Sequence, residues 1–451
     1  MLKKQSYFAV GLWLLSSFFF VTLAWVSNGQ MGGGDTYAHF LISKYSWSHP
    51  ELFFDHWGKP VFTILSSPFS QFGIRGMVLF NALCGLSTGF MVFLTLSKLK
   101  INPFATFALL LSPFFAAIHV SGLTEPLFGL SLIAAAYFLL NRDYFKLALL
   151  LGLIPFIRTE GVLIYGLGII ILLIKKDYRA SLFSLLPLIF FALVGSIFHN
   201  GNVFWLITEL PYSAQSSYGE GELLHFARYA DIIFGLPLLI FGLLGALYWL
   251  LKKAKIQWEL TIFFIGIPIS YFLFHSVLYG FGWGASAGLK RVMIVLTPFL
   301  VLFSACFIDS FSRFGVKVNY SVKFIFFVAV LAQFLSSDRM PVNQTTNQRV
   351  ISKAVAAIHS LDKVETVYYY HPMVAVLLDC DPFSGSSCVE RIPDFTLLNE
   401  HDVIVWDNHF SVVEGNTPKS KIVNIQGVEL VQEIEENHEK VVVYQVSKAS
   451  Q

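Results

Sequence analysis

Charged residues are scarce in this chain of 451 residues: they make up 13% of the sequence, whereas hydrophobic residues make up 55%. A soluble domain usually has about 25% charged residues, so this chain has too little polar surface to cover a water-soluble globule. The formal net charge is only +2, which gives no broad basic field of the kind that attracts nucleic acid. The composition therefore excludes a soluble globule, disfavours a nucleic-acid-binding protein and indicates an integral membrane protein.

Motifs of other enzyme and transporter classes are missing as well. The sequence has no phosphate-binding P-loop, no HExxH or GxSxG motif and no paired CxxC motif. It shows no internal period of roughly 20 to 50 residues and no inverted repeat, which disfavours the common secondary-transporter folds. Asp, Glu, Lys and Arg are also missing from the interiors of the predicted spans, so a proton or ion relay through the bilayer has no obvious groups to use.

Long apolar stretches occupy most of the chain. A helix needs roughly 20 apolar residues to cross a hydrocarbon core about 30 Å thick, and the stretches bounded by charge predict about eleven spans. The first follows Lys3 and Lys4, but no small-residue cleavage site comes after it, so we interpret it as an uncleaved anchor. The predicted spans are Tyr7–Val26, Gly76–Leu96, Pro103–His119, Pro126–Leu140, Leu147–Ile157, Gly161–Ile174, Ser181–Phe198, Ile232–Leu251, Leu260–Tyr279, Val292–Ile308 and Phe324–Leu335.

Basic residues fall on alternate loops. If the N-terminus is cytoplasmic, every predicted inner loop is basic, and the opposite loops carry fewer basic residues over much more chain, as the positive-inside rule expects. An odd number of spans then places the C-terminus on the outer side. The basic residues of the inner loops are Lys98, Lys100, Arg142, Lys146, Lys175, Lys176, Arg179, Lys252, Lys253, Lys255, Arg313, Lys317 and Lys323.

The stretch from residue 147 to residue 174 can be read as one long helix or as two short ones. A single helix would place Arg158 near the middle of the bilayer, which costs roughly 2.5 to 3.5 kcal/mol, and would invert the charge bias of every later loop. Two short helices that meet at Arg158-Thr159-Glu160-Gly161 instead place this turn below the outer membrane surface, where it can line a water-filled cavity. We therefore predict two short helices.

The composition becomes polar at about residue 338. We predict a membrane module over residues 1–337, with long outer loops at 27–75 and 199–231, and a small soluble α/β domain over residues 338–451. The second outer loop, with Gly219-Glu220-Gly221-Glu222, fits either a lid or a disordered connector. The elements expected in the tail are a helix over Gln348–Leu361, strands within Val364–Tyr370, Asp402–Trp406 and Lys440–Val446, and a turn over Glu433–Glu439 that joins two strands.

The four cysteines fall into two pairs. Cys84 and Cys306 lie in predicted spans and are expected to be small core residues. Cys380 and Cys388 lie in one polar loop that the predicted topology puts in an oxidising space. They would form a disulfide there, or they would remain two unpaired thiols in a surface loop.

Ionisable residues gather at the predicted outer ends of the spans, on four separate loops. Each of them also has a purely structural interpretation. Asp35 could cap a helix that begins at Thr36, and Glu125 and Glu160 could each stabilise a first helical turn, with Thr124 capping the helix of Glu125. The gathered residues are Asp35, His119, Glu125, Arg158, Glu160, Lys290 and Arg291.

The basic members of this group differ in how readily a structural role explains them. A lone His119 is commonly an interfacial core residue, and Lys290 and Arg291 can be ordinary snorkelling residues. Arg158 is harder to explain in this way, because a turn within the membrane is an expensive place for a cation. Together, acids and bases on one face suit glycosyl transfer from a lipid phosphate, which needs a carboxylate to take a proton from the acceptor hydroxyl and cations to neutralise the departing phosphate.

With this arrangement, the sequence resembles the GT-C superfamily of membrane glycosyltransferases, which includes the protein O-mannosyltransferases, the aminoarabinose transferase and the dolichyl-phosphate-mannose-dependent enzymes. Two departures stand out. Asp35 is followed by Thr36 and not by a second acid, and no DxD triplet occurs in the first two outer loops, which disfavours the metal-dependent oligosaccharyltransferase mode. The resemblance rests on Gly34-Asp35-Thr36-Tyr37, Ile157-Arg158-Thr159-Glu160-Gly161, Lys290-Arg291 before a span with Pro298, and the tail segments Tyr370-His371-Pro372 and Val405-Trp406-Asp407-Asn408-His409.

The resemblance implies a GT-C-like fold and a role for each gathered residue. It implies an inverting, metal-independent transfer of a mannose-like hexose or similar sugar from polyprenyl phosphate, with no cofactor. Asp35 would be the general base, and Glu125, Glu160 and His119 would orient the sugar or the base. The donor phosphate would bind Arg158, Lys290, Arg291 and Lys59, and the acceptor or sugar would contact Tyr37, His56 and Trp57.

The expected partners are membrane lipid, a polyprenyl-phosphate-linked sugar and a glycan, lipid or protein acceptor. The expected location is the bacterial inner membrane, with the active site and the soluble domain facing outward. An endomembrane is the alternative, and in its lumen Asn343-Gln344-Thr345 would be a usable glycosylation sequon. A polyprenyl-linked sugar flippase or another multi-pass transporter is the alternative, and it would move its substrate without transferring a sugar. A non-catalytic scaffold is a third class, and it would tolerate replacement of Asp35 and Arg158.

Overall fold

The computed structural model describes residues 2–211, 214–216, 218–251, 258–284, 286–385, 387–392 and 395–447. Lys252, Lys253 and Lys255 of one predicted inner loop, and Tyr212, Ser213 and Ser217 of the predicted outer loop 199–231, lie outside these ranges. The α-helices are α1 Leu2–Val26, α2 Gly34–Tyr45, α3 Pro60–Ser70, α4 Ile74–Lys98, α5 Phe107–Leu110, α6 Pro113–Ile118, α7 Glu125–Asn141, α8 Tyr144–Leu153, α9 Gly161–Ile174, α10 Tyr178–Phe183, α11 Leu185–Ser196, α12 Trp205–Thr208, α13 His225–Arg228, α14 Ala230–Phe234, α15 Leu236–Leu251, α16 Trp258–Thr261, α17 Ile267–Gly280, α18 Thr297–Ser310, α19 Val316–Leu335, α20 Thr346–His359, α21 Met373–Leu378 and α22 Lys419–Val423.

Most of the chain forms an apolar helical bundle. In the described residues, 6 helices are long and apolar enough to cross a membrane, and they include Tyr7–Val26, Ile74–Lys98 and Val316–Leu335. Four shorter apolar helices accompany them: Glu125–Asn141, Tyr144–Phe156, Gly161–Ile174 and Leu236–Leu251. The protein is therefore a multi-pass membrane protein, while the count of about eleven spans stays a prediction.

The stretch Pro103–His119, predicted as one span, is broken into short pieces. A 3₁₀ turn at Pro103–Thr106 leads into α5, and α6 starts again at Pro113. Ser112 is extended (φ −77°, ψ 114°), because the residue before a proline is disfavoured in the helical region. Its hydroxyl donates to the carbonyl of Phe234 at 3.2 Å, so the backbone carbonyl at the end of α14 has a partner inside the bundle. The sequence prediction overlooked this effect of Pro113.

Small residues allow the central helices to approach closely. Helix α15 packs on α18, and a Cβ atom on Gly245 would lie only 1.8 Å from the carbonyl oxygen of Phe303. Such close contact of backbones is typical of helices that associate within lipid, where packing rather than water exclusion holds them together.

The described residues from 338 onward are here called the sheet domain. They contain a five-stranded sheet of order β2-β1-β3-β5-β4. Strands β1, β2 and β3 are parallel, and β5 pairs antiparallel with β3 and β4. The central strand β3 is buried at every position, as expected of a strand covered on both faces. The strands are β1 Val367–Tyr369, β2 Cys388–Glu390, β3 Val403–Asp407, β4 Val428–Glu436 and β5 Glu439–Val446.

The helix and the three strand runs predicted in the sheet domain are found close to their expected bounds, but α21, α22 and β2 were not predicted, and Cys388 begins β2 rather than lying in a loop. Helix α20 begins with a capping box between Thr345 and Gln348, and it packs on β4 and β5 through apolar residues at helical spacing. The predicted turn over Glu433–Glu439 is too long. Strand β4 continues to Glu436, and only Asn437 and His438 separate it from β5, both with positive φ, as a two-residue hairpin turn requires.

One end of the bundle carries the sheet domain. Lys44 at the end of α2 forms an ion pair with Asp379, and His49 lies 2.8 Å from Asp381. Asp379 and Asp381 belong to the loop that joins α21 to β2, and a disulfide between Cys380 and Cys388 closes this loop. The loop therefore docks the sheet domain onto the segment that follows α1.

We expect the disulfide to stabilise the sheet domain. Closing a loop of 8 residues restricts the unfolded chain by about 2.5 kcal/mol on chain-entropy arithmetic. The double variant Cys380→Ser and Cys388→Ser should therefore melt at a lower temperature, followed by circular dichroism in detergent. A reductant should lower the melting temperature of the wild type to that of the variant and leave the variant unchanged. Equal melting temperatures with and without reductant would contradict this stabilising role.

Candidate active site

The candidate site begins with a glycine turn between α1 and α2. Gly32 and Gly33 have φ of 101° and 56°, a region in which glycine is favoured because it lacks a Cβ atom. Helix α2 begins at Gly34, so Asp35 lies in its first turn and is not its N-cap, which is Gly33. The carboxylate of Asp35 is thus free of a capping role, and its side chain is 39% exposed.

Asp35 is one end of a chain of ion pairs, here called the ion-pair network: Asp35, Arg291, Glu125, Arg158 and Glu160. Arg291 pairs with Asp35, and its Nε lies 3.3 Å from Oε1 of Glu125. The same oxygen lies 3.0 Å from Nη1 of Arg158, and Nε of Arg158 donates to Oε1 of Glu160 at 2.6 Å. Residues from four distant parts of the sequence are therefore linked by an unbroken series of ion pairs.

Glu125 is the central and most deeply buried member of the network. Its side chain is 2% exposed, and it contacts both guanidinium groups. Thr124 does not cap α7 through its side chain. Its hydroxyl instead accepts a hydrogen bond from Nη1 of Arg158 at 2.9 Å. The capping interpretation of this pair is therefore replaced by a role in holding Arg158.

The predicted hairpin supplies the second arginine. Helix α8 ends at Leu153, a 3₁₀ turn covers Ile154–Phe156, and α9 begins at Gly161. A Cβ atom on Gly161 would lie 2.6 Å from the carbonyl oxygen of Ile154, so glycine is needed for this tight turn. Burial by itself raises the pKa of Glu160, but the Arg158 guanidinium beside it lowers that pKa well below its usual range. Glu160 is therefore ionised and paired.

Helix α17 contributes two polar side chains that the sequence analysis missed. The hydroxyl of Tyr271 donates to Glu160 at 3.2 Å, and Nε2 of His275 lies 3.6 Å from the same carboxylate. They stand four residues apart and so share one face of the helix. A polar pair at this spacing within an apolar span was the signal that could have identified them.

His39 is a further residue that the sequence analysis missed. It stands four residues after Asp35, on the same face of α2, and its ring stacks on Trp57 with centroids 4.4 Å apart. Burial lowers its pKa to about 3; Glu125 opposes this shift, and the nearby charges of Lys59, Arg158 and Arg291 add to it. His39 is therefore neutral near pH 7, and it brings Trp57 close to the network.

Lys59 connects the network to an apolar groove. It has φ of 65°, and its ammonium group donates to the carbonyl of His56 at 2.8 Å and to the hydroxyl of Thr159 at 2.9 Å. The groove has a volume of about 410 Å³, and its polar lining residues are His56, Lys59 and Thr159. The rest of its wall is apolar: Pro60, Pro155, Phe156, Val162, Leu188, Ile189, Ala192, Val203, Phe204, Leu206 and Ile207.

Six of the predicted site residues lie outside the network: Lys59 and His56 line the groove, Trp57 stacks on His39, and Tyr37, His119 and Lys290 make other contacts. Tyr37 is buried on another side of α2, where its hydroxyl donates to Gln30 at 3.0 Å. His119 is fully buried, and its Nδ1 lies 2.7 Å from the carbonyl of Phe115. Lys290 places its ammonium group over the ring of Tyr229, 3.6 Å from the centroid. These contacts give Tyr37, His119 and Lys290 packing roles near the site and not within the network.

Comparison with solved structures finds the same fold in membrane glycosyltransferases. No protein-family model matches the chain, and no curated protein matches it by sequence. ArnT from Cupriavidus metallidurans bound to undecaprenyl phosphate is 12% identical, with a TM-score of 0.61 over 99% of this chain and 98% of that chain. The same protein in the apo state gives a TM-score of 0.63 at 12% identity over 98% of this chain and 99% of that chain.

A second group of similar structures comes from an archaeon. AglB, the oligosaccharyltransferase of Archaeoglobus fulgidus, in complex with an inhibitory peptide and a dolichol-phosphate, is 12% identical, with a TM-score of 0.57 over 89% of this chain and 69% of that chain. Both groups belong to the GT-C superfamily. The predicted GT-C-like architecture is therefore confirmed at the level of the fold.

We expect Glu125 to be the member of the network on which stability depends most. Glu125→Gln leaves two buried guanidinium groups without their shared carboxylate, and breaking a buried pair in this way costs about 3–5 kcal/mol. The variant should melt several degrees below the wild type in detergent. Asp143→Asn, which weakens the exposed pair with Lys146, is the matched control and should melt close to the wild type, because exposed ion pairs contribute little to stability. Equal melting temperatures of the two variants would contradict the central role of Glu125.

Proposed function

We propose that this protein is an inverting, metal-independent glycosyltransferase that moves a mannose-like hexose or similar sugar from a polyprenyl-phosphate donor to an acceptor hydroxyl. The observation that carries the proposal is the contact of a half-exposed carboxylate, Asp35, with Arg291, which Glu125 joins to Arg158. A base and two phosphate-binding cations thus lie within one network. The GT-C fold supports the same reaction class.

The donor binds with its chain in the apolar groove and its phosphate at the cations. The groove wall suits an isoprenoid chain, because both are apolar and can pack closely against each other within the membrane. Lys59 lies at this groove and touches Thr159, the neighbour of Arg158, so a phosphate near Thr159 meets both cations. The similar structures contain undecaprenyl phosphate and dolichol-phosphate, which are ligands of the same chemical class.

The chemistry is a single displacement at the anomeric carbon. Asp35 accepts the proton of the acceptor hydroxyl, and the oxygen attacks the anomeric carbon on the face opposite the phosphate. The bond between that carbon and the phosphate oxygen breaks, and the polyprenyl phosphate leaves with the electron pair. Arg158, Arg291 and Lys59 neutralise the charge that develops on the phosphate, so the reaction is expected to proceed with inversion and without a metal.

The remaining residues of the site hold these groups in place. Glu125 and Glu160 fix the two arginines, and Tyr271 fixes Glu160. Trp57, stacked on His39, offers an aromatic surface to the sugar. The reaction takes place on the outer side of a bacterial inner membrane, as the charge bias of the loops favours, with a glycan, lipid or protein of the cell envelope as acceptor.

Asp35→Asn should abolish the reaction, because the amide cannot take the proton. The measurement is release of polyprenyl phosphate from a panel of polyprenyl-phosphate sugars by the purified protein, with solubilised envelope material as acceptor and a chelator present. The wild type should release it, and the variant should retain at most about one part in a hundred of the rate, since general-base catalysis contributes about 10²–10⁴-fold. Donor binding, by equilibrium dialysis, should persist in the variant. Absence of release by a folded wild type that binds the donor would overturn the transferase proposal and favour transport.

Narrowing the groove should weaken binding of long-chain donors. Ala192 lines the groove, whereas the next residue, Leu193, is 57% exposed and does not line it. Ala192→Phe should therefore raise the KM for a long polyprenyl donor about 10-fold or more, corresponding to at least roughly 1.4 kcal/mol of lost binding, and affect a short-chain donor less. Leu193→Phe is the matched control. An unchanged KM in Ala192→Phe would show that the donor chain binds elsewhere.

A further inference from the structure

The sheet domain contacts the segment that leads into the glycine turn before Asp35. The carbonyl of Val342 accepts hydrogen bonds from the backbone N–H groups of Asn28 at 3.2 Å and Gly29 at 2.9 Å. The side chain of Gln348 at the start of α20 donates to the carbonyl of Gln30 at 2.8 Å. The segment that leads to the glycine turn is therefore fixed by hydrogen bonds to the sheet domain.

Phe410 of the sheet domain reaches the residue next to Asp35. A Cβ atom on Gly34 would lie 2.5 Å from Cζ and 2.8 Å from Cε1 of Phe410, and its three nearest atoms all belong to this ring. The ring is itself held by His371, whose ring lies edge-on with centroids 4.6 Å apart. His371 in turn faces Tyr37 of α2 at 6.0 Å. Phe410 is thus in direct contact with the first turn of α2.

The segment that carries Phe410 is well anchored. It is a short helical turn over Phe410–Glu414 that begins three residues after the end of β3 at Asp407. The buried carboxylate of Asp407 accepts hydrogen bonds from the backbone N–H groups of His409 at 3.0 Å and Phe410 at 2.5 Å, and from the hydroxyl of Ser411 at 3.1 Å. This gives Phe410 a fixed position relative to the sheet.

The glycine turn before α2 needs such a restraint from outside the turn. Two glycines with positive φ precede α2, and glycine has the largest backbone freedom to lose on ordering. A shift of about 1 Å in a reacting group can reduce a rate about 100-fold. We propose that Phe410 is a positioning residue, which holds the first turn of α2 from the sheet domain and so sets the place of the Asp35 carboxylate. This inference rests on the proposed function, in which Asp35 is the base.

The test compares full-length variants in the polyprenyl-phosphate release assay, with the sugar of the panel that the wild type consumes fastest and solubilised envelope material as acceptor. Phe410→Ala should lower kcat about 10- to 100-fold and leave the donor KM within about 2-fold. It should also move the acidic limb of the pH profile of kcat, which reports protonation of the base. Phe410→Leu, which keeps most of the contact, should restore most of kcat.

A matched control lies at the other end of α2. Phe383 also belongs to the sheet domain and packs on Tyr45, the last residue of α2, with ring centroids 6.3 Å apart. Phe383→Ala should keep the wild-type kcat and pH profile. An equal loss of kcat in Phe383→Ala and Phe410→Ala would overturn the proposal, because it would mean that docking of the domain in general is what matters.

Gly34→Ala tests the same contact from the opposite side. The added Cβ atom meets Phe410, so Gly34→Ala should lower kcat, and the double variant with Phe410→Ala should recover part of the loss relative to Gly34→Ala. If Phe410→Ala does not fold, the inference is tested with Phe410→Leu and Gly34→Ala instead. A Gly34→Ala variant with the kcat and the pH profile of the wild type would overturn the inference. A wild type without release refutes the proposed function, whereas an active wild type with an equally active Phe410→Ala refutes only this inference.

Discussion

The buried carboxylate of Glu125 holds two guanidinium groups between the helices, and the site is organised around this contact. Removing three charges from water is unfavourable unless each finds close partners. Glu125 meets Arg158 at 3.0 Å and Arg291 at 3.3 Å, and the outer carboxylates of Asp35 and Glu160 complete the pairing. The network thus fixes the relative positions of α2, α7, the α8–α9 turn and the segment before α18.

This constraint explains why the surrounding backbone is unusual. Glycines at positions 32 and 33 turn the chain so that Asp35 reaches Arg291, and the carbonyl of Gly32 accepts a hydrogen bond from the same guanidinium at 2.9 Å. Lys59 has a positive φ, a conformation that a residue with a side chain adopts rarely and that is found at functional sites. The sheet domain adds contacts to the chain before the turn and to Gly34, so both the bundle and the sheet domain contact the segment that carries Asp35.

The sequence predicted the architecture better than the contacts. Apolar runs, alternating basic loops and the polar tail were sufficient for the helical bundle, the split at Arg158 and the α/β tail, because hydrophobic periodicity and charge act locally. The break at Pro113 was overlooked, although a proline disfavours the helical conformation of the residue before it. Asp35, Glu125, Arg158, Glu160 and Arg291 were predicted to gather, and they meet in the network. His119 and Lys290 were placed in the same group but form other contacts. Tyr271 and His275 were missed although their spacing within an apolar span indicated them. His39 lies on the surface helix α2, and which side of such a helix meets the network is decided only when the helices pack.

The most direct test of this account is a structure of the full-length protein with bound polyprenyl phosphate, determined by cryo-electron microscopy in nanodiscs. The account predicts phosphate density within hydrogen-bonding distance of Arg158, Arg291 or Lys59, and isoprenoid density along the groove that contains Val162 and Ala192. Phosphate bound at a site remote from the ion-pair network, with the groove occupied by no isoprenoid chain, would contradict it.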